Sequence, residues 1–147
     1  VKPVHVLNGP NLGRLGRREP EVYGTESYDD LVALVTAEAA ALGIDVVVRQ
    51  TDDEATLIGW LHEAAEQASG VVLNPAAFTH YSYAVRDAVA MAGVPVVEVH
   101  LTNIAAREEF RRHSVIAPVA RGVISGFGFE SYRLALRALA GSGNAGG

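Results

Sequence analysis

GVVLNPAAFTHYSYAVRDAVAMAGVPVVEVH, residues 70–100, contains the pattern that decides the fold. It opens with a short β-branched run, GVVLNP (70–75), passes through a helical pattern, SYAVRDAVAMAG (82–93), closed by Gly93 and Pro95, and returns to a second β-branched run, PVVEVH (95–100). Both runs are continuously apolar before their polar ends, as expected of strands buried on both faces of a sheet. The rest of the chain repeats the alternation. Three more strand-like runs are PVHVL (3–7), DVVVRQ (45–50) and RGVISG (121–126).

The intervening segments read as helices. SYDDLVALVTAEAAALG opens with Ser27 and Asp30 in capping-box spacing, carries Leu31, Leu34, Val35 and Leu42 on one stripe, and stops at Gly43. EATLIGWLHEAAEQA repeats the stripe with Leu57, Leu61, Ala64 and Ala68, and FESYRLALRALA follows the fifth strand. AREEFRRH (106–113) reads as a short helix with a weaker pattern. Strands alternating with helices predict an α/β domain with a five-stranded parallel sheet and helices on both faces. The flavodoxin-like strand order 2-1-3-4-5 suits it. One catalytic domain over residues 1–140 and a flexible tail over 141–147, GSGNAGG, complete the expected organisation.

Composition narrows the chemistry. The 147 residues are 49% hydrophobic and 20% charged, enough apolar material for one real core. The formal net charge of −5 provides no global field for nucleic acid or an anionic membrane. With no cysteine there is no disulfide or thiolate nucleophile, and a cytoplasmic location is permitted. No run approaches the roughly 18 apolar residues of a membrane helix. A single lysine, Lys2, stands against eleven arginines, so Schiff-base catalysis has almost no candidate.

In open α/β sheets ligands bind beyond the carboxyl ends of the strands, where the polar residues collect here. The first strand delivers Asn8 and Asn11; the third delivers Asn74, with Thr79 and His80 beyond it; the fourth delivers Glu98 and His100, then Thr102 and Asn103. Such side chains hydrogen-bond hydroxyls and carbonyls while neutral, which suits a small polyhydroxylated ligand. Singly, each has a plainer reading: Asn8 and Asn74 as turn caps, Glu98 and His100 as a satisfied pair on one side of a strand. His5, His62 and His113 read as structural or exposed. A metal held by His80, His100 and Glu98 lacks the spacing of any known metal motif. Neither GxxxxGK[ST] nor GxGxxG follows the first strand, and no lysine follows the fifth as a phosphate-accepting receiver domain would require.

LNGPNLGRLGRREPEVYG (7–24), LNPAAFTHYSYAVRDA (73–88), VVEVHLTN (96–103) and AREEFRRHS (106–114) together resemble the type II 3-dehydroquinate dehydratases, the cofactor-free dehydroquinases, over nearly the whole chain. The resemblance implies a flavodoxin-like fold, a homododecamer built as a tetramer of trimers, and anti elimination of water from 3-dehydroquinate to 3-dehydroshikimate without metal or cofactor. The same reaction serves aromatic biosynthesis by the shikimate pathway and quinate catabolism. It further implies Tyr23 as general base, Arg18 as the residue stabilising its phenolate, with Arg14 and Arg17 open as further candidates for that role, Asn11 as the residue positioning a water against the enolate oxygen, and His100 as general acid oriented by Glu98. Asn74, His80, Arg111 and the backbone N–H groups of Leu101 and Thr102 are implied to bind substrate, with Asp87 reaching a neighbouring subunit's site. The stretch from Gly13 to Gly24 is expected to form a mobile lid, with residues 14–23 the least ordered internal segment in the absence of ligand. Thr102, Leu101, Ala105, Tyr81 and Ser131 depart from the commoner residues of the family. Two other readings stay open: another lyase or isomerase acting on a cyclic hydroxy acid, and a flavodoxin-type nucleotide-binding module.

Overall fold

The computed structural model describes residues 1–17, 21 and 25–145. Five strands, β1 (Val4–Asn8), β2 (Val46–Gln50), β3 (Gly70–Asn74), β4 (Val96–His100) and β5 (Gly122–Ser125), form one sheet in the order β2-β1-β3-β4-β5. Every neighbouring pair is parallel. The four α-helices among the described residues are α1 (Tyr28–Leu42), α2 (Glu54–Gln67), α3 (Tyr83–Ala90) and α4 (Glu130–Ala145). None is long and apolar enough to cross a membrane.

The strand pattern sorts the core into two layers. Alternate residues point to opposite faces, so Val6 and Val72 join Leu31 and Val35 of α1 and Tyr132 and Leu136 of α4, while Leu7 and Leu73 join Leu57 and Leu61 of α2 and Val85 of α3. Every residue of β1, β3 and β4 is buried, whereas the edge strands β2 and β5 are only partly covered. Leu31, Leu57 and Leu61 are wholly removed from solvent, each contributing roughly 1.5 to 3 kcal/mol of burial free energy.

Local chemistry sets the helix ends. Ser27 and Asp30 form the expected capping box: the Ser27 hydroxyl accepts from the Asp30 amide, and the Asp30 carboxylate accepts from the Ser27 amide. Gly43 closes α1 at φ +72°, a left-handed conformation that costs glycine no Cβ clash. Asp53 and Ser82 cap the N-termini of α2 and α3, their side chains accepting from the Thr56 and Val85 amides.

Two expectations about helices are revised. The AREEFRRH segment is not an α-helix but belongs to two 3₁₀ turns, Ile104–Ala106 and Glu109–Arg111, separated by extended backbone at Arg107. It lacks a buried apolar stripe, Phe110 being 63% exposed, and so short a helix does not hold without tertiary packing. At the other end, α4 runs to Ala145 instead of stopping at Ala140. Glycine in a helix costs about 1 kcal/mol, yet GSGNA contains no proline to force a stop.

Candidate active site

The parallel register brings the carboxyl ends of the three central strands to one level. Asn8 stands opposite Asn74 across β1 and β3, and Glu98 and His100 complete the edge on β4. Beyond β1 and β3 the backbones nearly touch: a Cβ on Gly9 would lie 2.7 Å from the Pro75 carbonyl oxygen, so only glycine fits. Gly9 instead donates its N–H to the Asn74 carbonyl at 2.8 Å. The chains then diverge around an open-mouthed cleft lined by residues that follow β1, β3 and β4. It lies at the switch point of the strand order, where this architecture places its ligands.

Glu98 and His100 form the floor. Glu98 is completely buried and His100 nearly so. The carboxylate accepts from the Thr79 hydroxyl at 3.0 Å, the Ser114 hydroxyl at 2.9 Å and His100 Nε2 at 2.5 Å. An ionised carboxylate is acceptor-only, so Nε2 carries a hydrogen and Nδ1 is the ring nitrogen left for chemistry. The two-residue spacing that puts both side chains on one side of β4 therefore produces a direct contact.

His80 is set differently. It ends a 3₁₀ turn, Ala76–His80, and its Nδ1 lies 2.8 Å from the His113 carbonyl oxygen. A carbonyl can only accept, so Nδ1 holds the hydrogen and Nε2 is an acceptor. Burial is the main cause holding the His80 pKa below the ordinary histidine value, with nearby His100 and Arg111 adding to it. The turn starts under backbone strain: Ala76 has φ +53°, a region that costs a residue with a Cβ about 1 to 2 kcal/mol. Its N–H is satisfied by the Asn74 side-chain oxygen at 3.1 Å.

Asn11 and Arg111 stand on the rim. Asn11 adopts φ +69°, which asparagine tolerates better than most residues, and its N–H donates to Asp52 at 2.8 Å. Arg111 donates through Nε to Glu108 at 2.8 Å, and its guanidinium lies 4.7 Å from the Phe110 ring centroid. Leu101 and Thr102 follow β4 directly into the cleft wall.

The cleft thus gathers Asn11, Asn74, His80, His100, Leu101, Thr102 and Arg111, with Glu98 beneath His100. Asp87 does not join them; it is exposed on α3. Arg18 and Tyr23, and the part of the expected lid that holds them, lie outside the described residues. Among the described residues no group of three His, Asp or Glu side chains is arranged to hold a metal. Three contributors escaped the sequence reading. Ser114 is the second hydroxyl on Glu98, Arg107 lines the cleft and donates to the Thr102 hydroxyl at 3.2 Å, and Tyr132 reaches Asn74 from α4 at 3.0 Å. Tyr132 carried one usable signal, a hydroxyl on an otherwise apolar helix stripe.

Comparison with known proteins agrees with this geometry. The family Dehydroquinase class II matches residues 2–140. A 3-dehydroquinate dehydratase of Salinispora tropica is 64% identical over 93% of this chain and 96% of its own length. One of Mycobacterium avium is 59% identical over 94% of this chain and 96% of its own. Among solved structures, the type II dehydroquinase of Propionibacterium acnes superposes with a TM-score of 0.92 at 54% identity, covering 95% of this chain and 97% of that one. The type II dehydroquinase of Butyrivibrio crossotus reaches the same TM-score at 41% identity, covering 94% and 97%. This chain belongs to the class II dehydroquinase family.

Proposed function

We propose that this protein is a 3-dehydroquinate dehydratase that eliminates water from 3-dehydroquinate to give 3-dehydroshikimate. The observation that carries the reading is the sealed Glu98–His100 pair on the floor of a cleft whose wall supplies a neutral His80 and whose rim supplies Arg111. Removing water from a β-hydroxy ketone needs a base for the proton beside the carbonyl, stabilisation of the enolate, and an acid for the departing hydroxyl. His100 is the acid. Glu98 accepts from Nε2–H and fixes the ring, so the acid form is the imidazolium, which passes its Nδ1 proton to the leaving hydroxyl and keeps the hydrogen on Nε2.

Tyr23 is the base. A free tyrosine has a pKa near 10, so a working phenolate needs a shift of about two to three units, or roughly 3 to 4 kcal/mol in favour of the charged form. Arg18 supplies that field, and an arginine suits the task because it stays protonated. The substrate gives its proton to Tyr23, and its hydroxyl leaves with the His100 proton as one water. A proton returning from Tyr23 to His100 through solvent resets the enzyme.

The remaining residues bind and orient. The neutral Nε2 of His80 accepts from a substrate hydroxyl, Asn74 offers both a donor and an acceptor, and Arg111 supplies positive charge for an anionic ligand. The N–H groups of Leu101 and Thr102 hold the carboxylate, and Asn11 positions a water at the enolate oxygen. In a tetramer of trimers Asp87 would complete a neighbour's cleft, and light scattering reads that assembly directly.

The test is ultraviolet absorbance. Adding 3-dehydroquinate to the pure protein at neutral pH should produce the absorbance of a conjugated enone, and folded protein that gives no signal excludes the activity. In Tyr23→Phe turnover should vanish while a product-like ligand still binds; retained turnover would mean another group is the base.

A further inference from the structure

Tyr132 is the largest completely buried side chain among the described residues, and it carries a hydroxyl that a purely apolar core position does not need. Its ring packs between α1 and α4 with Leu31, Val35 and Leu136. Its oxygen crosses to the strand ends. The hydroxyl donates to Asn8 Oδ1 at 2.6 Å and accepts from Asn74 Nδ2 at 3.0 Å. Asn8 Nδ2 donates to the Arg49 carbonyl at 3.2 Å. At the other end Asn74 Oδ1 accepts from the Ala76 N–H.

The polarity of this chain is fixed from both ends. A carbonyl can only accept, so the Asn8 amide must face Arg49 with its nitrogen and Tyr132 with its oxygen. Tyr132 has one hydrogen and spends it on Asn8, which leaves an oxygen lone pair for Asn74. A backbone N–H can only donate, so Asn74 must turn its oxygen to Ala76 and its nitrogen to Tyr132. Burial raises the Tyr132 pKa, so the phenol stays protonated and the direction does not reverse. Turning the Asn74 amide over would break both of its bonds at once.

We propose that Tyr132 is a positioning residue for the reaction: through its hydroxyl it fixes which face of the Asn74 amide meets the substrate. Asn74 then presents one remaining N–H and one remaining oxygen lone pair to the cleft. Neither must be turned into place when substrate arrives, so binding orders one side chain fewer. This rests on the dehydratase reading of the cleft.

Tyr132→Phe is the decisive variant because it keeps the ring in the core and removes only the hydroxyl. KM for 3-dehydroquinate should rise roughly 3- to 10-fold, the value of one neutral hydrogen bond. The turnover number should stay within about twofold and the pH profile should not move, since an interaction shared by ground and transition states acts on KM alone. The KM effect should disappear in an Asn74→Ala background. A folded Tyr132→Phe protein with wild-type KM overturns the proposal, and so does an undiminished KM rise on top of Asn74→Ala. A crystal structure of Tyr132→Phe decides the same point without turnover: with only the Ala76 N–H left to hold it, the Asn74 amide is expected to shift or take a second orientation, and an amide unmoved from its wild-type position overturns the proposal. If that variant does not fold, Asn8→Ala releases the Tyr132 hydrogen towards Asn74 and should raise KM likewise; unchanged KM overturns the proposal. Wild-type protein that folds but does not turn over 3-dehydroquinate defeats the dehydratase reading instead, and the crystallographic comparison then judges the positioning role alone.

Discussion

The floor and the rim of the cleft are held in place by opposite means. On the floor, Asn8, Asn74, Glu98 and His100 are between 0% and 6% exposed and sit at the ends of buried strands. Their polar atoms bond to partners on other elements: Tyr132 from α4, Thr79 from the turn after β3, and Ser114 from the segment before β5. On the rim, Asn11 and Arg111 stand on short 3₁₀ turns and bond to carboxylates facing water. A floor side chain therefore serves the fold and the chemistry together, whereas a rim side chain serves the ligand alone. Substitutions should separate the two.

The largest effect belongs to Glu98→Ala. It strips the acceptor from the Thr79 and Ser114 hydroxyls and from His100 in one step and opens a cavity beneath the sheet edge. Removing one partner of such a buried pair costs about 3 to 5 kcal/mol, read as a fall in unfolding free energy by urea titration. Turnover should fall at least 10²-fold, the low end of the worth of a positioned acid. A variant with wild-type stability would show that the floor is not coupled to the fold. Arg111→Ala comes next and should behave the other way. Its ion pair with Glu108 is solvent-facing, and such pairs add little to stability. The melting temperature should stay close to wild type while KM rises by about tenfold, the loss of a charge-assisted hydrogen bond. A large loss of stability would erase the distinction between rim and floor.

The same division explains what the sequence could disclose. Strand runs and helix stripes follow periods of two and about 3.6 residues, so β1, β3 and β4 and the polar residues ending them were legible without coordinates. The spacing of Glu98 and His100 placed them on one side of β4 because strand geometry leaves no alternative. The rim obeys no period. The two turns around Arg107 replace a helix that the residues 106–113 suggested, since no buried stripe holds one there. Tyr132 and Ser114 were hidden for another reason: their partners lie 58 and 16 residues away, at Asn74 and Glu98. Local pattern contains no record of a hydrogen bond between elements. Their hydroxyls are visible in the chain, and their partners only in the fold.

Acid should produce the smallest effect, and it tests sheet interior against cleft. His5 in β1 is almost fully buried with no partner for Nδ1. Burial, helped by the Arg49 guanidinium, lowers its pKa, and burial lowers that of His80 as well. Above the ordinary histidine pKa of about 6.5 both rings are neutral in the folded and the unfolded chain, so neither affects stability. Below it the unfolded chain binds protons that the folded protein refuses. Stability should therefore fall as pH drops below about 6.5 and level off once the folded-state values are passed. The two histidines separate by function. Protonating His80 also removes its Nε2 acceptor from the cleft, so KM should rise in the same acid range, while His5 lies away from the strand ends and should leave KM alone. His5→Leu should accordingly weaken the acid dependence of the urea midpoint and preserve the acid dependence of KM. A variant in which both flatten would place His5 in communication with the cleft and dissolve the boundary between interior and site.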